Sequence, residues 1–203
     1  MKLSLLSRRQ AAAAAITASL LLSGCTAQDP LAEKVNAGTN SYIAGDGSVA
    51  EYAAEIRGPA VQLSGELFDG TTVSNADWAG QVTVLNVWYA ACAPCRVEAP
   101  DLSALHAEFE PQGVQFYGIN TRDEAATASA FERSFGIEYP SFKDKNGQIL
   151  LALTDYVPPQ AVPTTLVLDK DGRVAARILG IAEKSTLTAI IEDALAAPGT
   201  EKP

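Results

Sequence analysis

Residues 83–95 have the sequence TVLNVWYAACAPC, and this stretch decides the fold. Its first half is an apolar, β-branched run, which is typical of a buried strand. The run leads directly to Cys92 and Cys95, whose C-x-x-C spacing we expect to begin a helix. The unpaired N–H groups at a helix start favour a thiolate on the first sulfur, and we expect that sulfur to be exposed with the second behind it. The stretch therefore predicts a strand followed by a helix, with reactive cysteines at their junction.

The same spacing also supplies half of many zinc sites. The chain has three cysteines and one histidine, His106, so a tetrahedral zinc site cannot be filled from soft ligands. A purely structural disulfide does not explain the strand-to-helix setting. We therefore predict thiol–disulfide chemistry, with Cys92 as the attacking nucleophile and Cys95 as the resolving thiol, and with no metal or other cofactor.

The first 25 residues have the features of an export signal. Basic residues up to Arg9 precede an apolar run over 11–22, which is shorter than the ~20 residues of a spanning helix. The segment Leu-Ser-Gly-Cys ending at Cys25 resembles a bacterial lipobox, and Ser-Arg-Arg at 7–9 also resembles a twin-arginine signal. We predict a lipoprotein signal peptide over 1–24, a lipid on Cys25, and a mature protein anchored to the outer face of the cell membrane.

The chain is acidic, with a formal net charge of −9. The predicted signal peptide carries three basic and no acidic residues, so its removal would take the charge to −12. This balance argues against nucleic acid as a partner and against a polybasic contact with the membrane.

The segment that follows Cys25 is polar and rich in small residues, and we predict a lipid-anchored tether over 25–57. Its second half contains enough apolar residues to pack against a domain, namely Tyr42, Ile43, Tyr52 and Ile56.

From residue 58 onward, strand-like and helical stretches alternate and predict one domain over 58–197, followed by a tail over 198–203. A hairpin turn is expected at Asp69-Gly70 and a kink at Pro100, and Thr121 is a plausible helix cap. The predicted strands are 61–67, 72–73, 82–87, 114–120, 140–142, 165–168 and 173–179, and the predicted helices are 93–110, 123–135, 148–153 and 183–196. This order predicts an α/β sandwich with a central mixed sheet flanked by helices and an N-terminal β-hairpin.

Six motifs occur in register along the predicted domain: GQVTVLNVW at 80–88, CAPCRVEAP at 92–100, GVQFYGI at 113–119, FGIEYP at 135–140, VPTT at 162–165 and DKDGRV at 169–174. Together they resemble the TlpA/ResA-like class of extracytoplasmic, thioredoxin-fold thiol–disulfide oxidoreductases. The resemblance implies a cis peptide between Val162 and Pro163 that docks substrate together with Trp88, which packs beside the motif. It also implies protein thiol or disulfide substrates, apocytochrome c among them, a membrane thiol electron donor, and action as a reductant.

Two positions depart from the pattern of that class. Ala91 occupies a position that is usually aromatic, and Asn86 occupies the position of a buried aspartate in thioredoxins. Because Asn86 cannot accept a proton, Glu98, one turn beyond Cys95, is a candidate for proton transfer. The alternative is a carboxylate placed near the helix start by the helix dipole alone.

Two other functions share this fold. A thiol peroxidase is suggested by the Arg-x-Glu-x-Pro segment at 96–100, although residues 89–91 lack the Thr and Pro that precede the reactive cysteine in such enzymes. A copper-delivery protein usually has wider cysteine spacing and a downstream histidine, whereas no histidine follows His106. We expect His106 to be a solvated surface residue.

Overall fold

The computed structural model of the protein describes residues 48–199. Within this range the chain forms eight strands and four α-helices. The strands are β1 (Val49–Glu51), β2 (Ser64–Glu66), β3 (Thr72–Ser74), β4 (Thr83–Trp88), β5 (Gln115–Asn120), β6 (Ser141–Lys143), β7 (Thr164–Leu168) and β8 (Val174–Leu179). The helices are α1 (Ala93–Phe109), α2 (Ala125–Phe135), α3 (Gln148–Ala152) and α4 (Lys184–Ala196).

Six of the strands form one mixed sheet in the order β1-β8-β7-β4-β5-β6. β4, β5 and β6 run parallel, whereas β7 is antiparallel to β4, and β8 and β1 continue the antiparallel pairing. β2 and β3 form a separate antiparallel hairpin. The predicted fold class, a central mixed sheet flanked by helices with an N-terminal hairpin, is therefore confirmed.

The central strand β4 is buried at all six positions, because apolar clusters cover both faces of the sheet. On the face of the sheet that carries the β2–β3 hairpin, Leu85 and Val87 belong to an apolar cluster that also contains Trp78. Val84 belongs to the opposite cluster, with side chains from α1 and α4. A strand buried on both faces is expected to be mostly apolar, and residues 82–88 fit this pattern except at Thr83 and Asn86.

The predicted bounds agree with the observed ones to within two residues, except that the first hairpin strand is shorter than predicted. The expected cap at Thr121 is wrong. α2 begins after Glu124, which makes no side-chain capping bond. The helix start lies later because the Asn120 side chain accepts hydrogen bonds from the N–H groups of Arg122 and Asp123, which keeps these residues in a turn.

Residues 49–57, which the sequence assigned to the tether, are part of the domain. β1 pairs with β8, and the N–H of Tyr52 donates to the carbonyl of Ala175. Arg57 forms a buried ion pair with Asp169, with 2.8 Å between Nη1 and Oδ2. The predicted boundary at residue 58 is therefore too late, and the rest of the predicted tether, with the signal peptide and Cys25, lies outside the described residues.

A membrane-crossing helix is not found within residues 48–199, since none of their helices combines the required length with the required apolar character.

The boundary can be tested with two shortened proteins that begin at residues 48 and 58 and end at residue 203. The shorter one loses β1 and leaves Asp169 without Arg57, so we expect its free energy of unfolding to fall by on the order of 3 kcal/mol. Urea denaturation of both proteins measures the difference, and Arg57→Leu in the longer protein separates the ion pair from the strand. Equal free energies of unfolding would contradict the revised boundary.

Candidate active site

The two cysteines lie where β4 meets α1, at the centre of the sheet. Cys92 is the N-cap of α1, and its Sγ accepts a hydrogen bond from the backbone N–H of Cys95 at 3.2 Å. The cysteines form a disulfide with 5.3 Å between their Cα atoms. Pro94 occupies the first turn, where the missing N–H would have had no helical partner. A sulfur in this position is stabilised as a thiolate by the helix N–H groups once the disulfide is reduced.

The expectation that the first sulfur is exposed is wrong for this disulfide form. Cys92 is only 3% exposed and Cys95 only 2%, so burial does not distinguish them. Cys92 is covered partly by the loop before β7, where the carbonyl oxygen of Val162 lies 3.9 Å from its Sγ. The peptide between Val162 and Pro163 is cis, as the resemblance implied. Cys92 therefore differs from Cys95 in its helix-capping position and in its contact with this neighbouring loop.

Trp88 lies between the end of β4 and α2. It is the last residue of β4, is 3% exposed, and stacks on Phe131 of α2 with 4.5 Å between ring centroids. A Cβ atom on Gly118 would lie 2.6 Å from its Nε1, so the neighbouring strand requires glycine there. Its predicted part in substrate docking stays a prediction, since the ring packs against α2 and is as buried as Cys92.

Glu98 lies one turn beyond Cys95 on α1 and is 1% exposed. One carboxylate oxygen accepts from Asn86 Nδ2 at 2.8 Å, and the other accepts from the N–H of Ala182 at 2.9 Å. Asn86 Nδ2 also donates to Thr165 Oγ1 at 3.0 Å. These bonds connect α1, β4, β7 and the segment before α4 at one point.

The burial of Glu98 and its position in α1 bear on its two predicted roles, and the proton-transfer role stays a prediction. Burial raises its pKa to about 7, although the hydrogen bonds from Ala182 and Asn86 act in the opposite direction. A carboxylate placed by the helix dipole alone would lie in the first turn and have a lowered pKa, and the first turn of α1 contains no acidic residue. Glu98 therefore has the burial and the pKa that a proton-transfer group needs near neutral pH, and it lies one turn beyond Cys95 on the same side of α1.

Sequence reasoning missed Asp123, whose carboxylate is hydrogen-bonded to the backbone just before Cys92. Asp123 Oδ2 accepts from the N–H of Ala90 at 2.6 Å and from Asn120 Nδ2 at 2.8 Å. Asn120 ends β5, and the carboxyl ends of parallel β4 and β5 lie at the same edge of the sheet. That topological rule was the available signal, because it places polar residues after β5 beside the cysteines.

His106 is half-buried rather than solvated. Its ring packs in T-shaped contacts with Phe116 and Tyr139, with 5.5 Å between ring centroids in each pair. Within residues 48–199, no group of three or more His, Cys, Asp or Glu side chains is arranged to hold a metal ion.

A mixed sheet with a C-x-x-C disulfide at the start of its central crossover helix, next to a cis-proline loop, defines a thioredoxin-fold redox protein. The sequence model of the AhpC/TSA family matches residues 56–177, and the chain belongs to this family.

The relatives of the chain bear names from thiol–disulfide chemistry. The thiol-disulfide oxidoreductase ResA of Geobacillus kaustophilus is 31% identical over 117 residues, which span 58% of this chain and 65% of that protein. ResA of Bacillus subtilis is 26% identical over 73% of this chain and 78% of its own length. The predicted resemblance to ResA-like proteins is therefore confirmed.

Two solved structures from Corynebacterium are also similar. A secreted thiol-disulfide isomerase from Corynebacterium glutamicum has a TM-score of 0.71 and 31% identity, over 78% of this chain and 99% of that one. A DsbF homologue from Corynebacterium diphtheriae has a TM-score of 0.65 and 35% identity, over 75% of this chain and 96% of that one.

The raised pKa of Glu98 predicts a pH dependence of stability. A carboxyl group whose pKa is higher in the folded state than its ordinary 4.5 binds a proton more readily there, so its stabilising effect is complete below pH 4.5 and is lost as the pH rises through about 7. Between pH 4 and 8, we expect the free energy of unfolding of the oxidised wild type to fall by about 3 kcal/mol relative to that of Glu98→Gln.

Urea denaturation across this range, with the disulfide intact, measures the difference. Glu192→Gln, at an exposed position of α4, is the matched control and should follow the wild type. The raised pKa would be contradicted if the free energies of unfolding of the wild type and Glu98→Gln differed by the same amount at every pH.

Proposed function

We propose that this protein is a thiol–disulfide oxidoreductase that exchanges disulfides with the cysteines of other proteins through Cys92 and Cys95. One observation carries the proposal: Cys92 Sγ caps α1 and lies within 3.9 Å of the Val162 carbonyl. The helix start stabilises a thiolate, and the loop offers backbone beside which an extended substrate can bind. The names of the relatives support the same activity.

The proposed reaction has two exchange steps. The Cys92 thiolate of the reduced protein attacks a substrate disulfide, forms a mixed disulfide and releases one substrate thiolate. Cys95 then attacks Cys92 Sγ, which closes the Cys92–Cys95 disulfide and releases the second substrate thiolate. Two electrons pass from the protein to the substrate, and the reverse sequence would oxidise a substrate dithiol.

Cys95 must lose its proton before it can attack. Glu98 lies one helical turn away with a pKa of about 7, so its carboxylate form is available at neutral pH to accept that proton. Asn86 and the N–H of Ala182 hold both carboxylate oxygens, and this fixes the orientation of the carboxylate. We assign the proton transfer to Glu98 and its positioning to Asn86.

We further propose an extracytoplasmic location, with the mature chain anchored to the membrane through a lipid on Cys25. The Leu-Ser-Gly-Cys segment supports the lipid anchor. The similarity to a secreted thiol-disulfide isomerase of Corynebacterium glutamicum supports the extracytoplasmic location. In this setting the protein acts as a reductant that receives electrons from a membrane thiol donor and passes them to protein disulfides, apocytochrome c among them. This last assignment rests on the resemblance to the ResA-like class.

The two cysteines can be separated by serine variants in a Cys25→Ala background, which removes the third thiol. We expect Cys92→Ser to abolish reduction of an insulin disulfide and Cys95→Ser to accumulate a mixed disulfide, because Cys92 then attacks without a resolving partner. Non-reducing electrophoresis with mass spectrometry identifies the trapped species. Trapping by Cys92→Ser but not by Cys95→Ser would reverse the two assignments.

The anchor is tested by expression of the full wild-type chain and of its Cys25→Ala variant in a bacterium that processes lipoproteins. We expect the wild type in the membrane fraction with a lipid mass on its first residue, and Cys25→Ala outside that fraction, because a lipid supplies the hydrophobic attachment. Fractionation and mass spectrometry provide the readout. Membrane recovery of Cys25→Ala at the wild-type level would contradict the anchor.

A further inference from the structure

Two arginines contact the residues that immediately precede Cys92. Arg96 donates from Nη1 to the carbonyl of Ala90 at 3.3 Å, and its Cζ lies 5.1 Å from the ring centroid of Phe135. Arg122 places its Cζ 4.1 Å from the ring centroid of Tyr89. Both guanidinium groups are thus held against residues 89–90, two to three positions before the cysteine.

Neither arginine is neutralised by a neighbouring carboxylate. Within residues 48–199, no carboxylate oxygen lies within 4.0 Å of either guanidinium. The adjacent acidic groups are already engaged, since Asp123 Oδ2 accepts from Ala90 and Asn120, and Glu124 pairs with Lys145. Both arginines are exposed, so among the described residues they are cations without a carboxylate partner, held next to the residues that precede Cys92.

We propose that Arg96 and Arg122 bind acidic side chains that flank the reactive cysteine of a protein substrate. This inference rests on the proposed thiol–disulfide exchange and names the substrate segment that the site prefers. A guanidinium has five N–H donors in a planar fork that matches a carboxylate, and Arg96 uses one of them on Ala90. Stacking on Tyr89 and Phe135 restricts both side chains before substrate arrives, which reduces the entropy lost on binding.

The geometry limits where the acidic residue can be. A substrate chain that extends past Cys92 along the Val162 loop advances roughly 3.3 Å per residue. Residues 89–90 and Val162 all pack against the cluster that contains Cys92, so the inference places the acidic group within one or two positions of the substrate cysteine. The rim formed by Arg96 and Arg122 selects a segment with Asp or Glu next to its cysteine, not an acidic protein as a whole, because the net charge of the chain repels acidic partners at longer range.

The test uses the reduced full-length protein carrying Cys25→Ala and three peptides with one cysteine each, flanked on both sides by Glu, Gln or Lys. Each peptide cysteine forms a mixed disulfide with thiopyridine, a neutral chromophore. Attack by Cys92 on the peptide sulfur releases thiopyridone, and Cys95 then releases the peptide thiol, so the protein is oxidised and the peptide disulfide is reduced. Absorbance gives the second-order rate constant for each peptide at low salt.

We expect the wild type to react faster with the Glu peptide than with the Gln peptide by about threefold for each arginine engaged, and slowest with the Lys peptide. The ratio of Glu to Gln rates should fall to about one in Arg96→Gln/Arg122→Gln and should shrink at 0.5 M salt in the wild type. The ratio is the useful quantity, because any effect of Arg96 on the reactivity of Cys92 is the same for both peptides. Arg133→Gln, which removes an exposed charge from the last turn of α2, should keep the wild-type ratio.

Equal wild-type rates for the Glu and Gln peptides, or an undiminished ratio in the double variant, would overturn the assignment of the rim while leaving the exchange reaction in place. Absence of a Cys92-dependent reaction with all three peptides would instead contradict the proposed function, and this inference with it. Loss of the ratio in Arg133→Gln as well would show a general charge effect and would also count against the rim.

Discussion

The hydrogen bonds to the buried carboxyl group of Glu98 are the constraint on which the rest of the site depends. A carboxyl group that is 1% exposed is destabilising unless its oxygens have partners, and here the Asn86 amide and the Ala182 N–H supply them. Because the partners come from β4 and the segment before α4, the bonds join α1 to both. Asn86 extends the network to Thr165, two residues beyond Pro163. The cysteines, the carboxyl group and the loop beside Cys92 are therefore held in register by one small polar network.

This network also explains how the chain manages without the buried aspartate of thioredoxins. Asn86 occupies that position in β4 and donates a hydrogen bond instead of accepting a proton. We propose that the proton-accepting group lies instead on α1, at Glu98, where burial raises its pKa to about 7. In this proposal Asn86 positions the carboxylate of Glu98, and Glu98 itself titrates with a pKa near physiological pH. The two arginines on the rim complete the proposal, since they act on the substrate and Glu98 acts on Cys95.

Local patterns predicted most of the fold because the decisive elements are short-range features. The largely apolar strand over 83–88, the Asp69-Gly70 turn and the C-x-x-C helix start each follow from neighbouring residues. β1 was missed because it has only three residues and because its partner strand, β8, lies far along the chain. The burial of Glu98 and Cys92 was not predicted for a related reason. Helix periodicity and dipole arguments describe one element, whereas these two side chains are covered by the segment before α4 and the loop before β7. Asp123 was missed because its function depends on which strand ends meet at one edge.

The central claim is that Glu98 accepts the proton of Cys95, and the resolving step tests it most directly. Rapid mixing of the reduced protein with a peptide disulfide, followed by acid quench and mass spectrometry, separates formation of the Cys92 mixed disulfide from its resolution. We expect the wild-type resolution rate to rise with pH through an inflection near 7. In Glu98→Gln the first step should be retained, while resolution at neutral pH should slow by roughly 100-fold and its inflection should move toward the ~8.5 of an unassisted thiol. Identical pH profiles for resolution in the two proteins would contradict the claim and would leave Glu98 with a structural role alone.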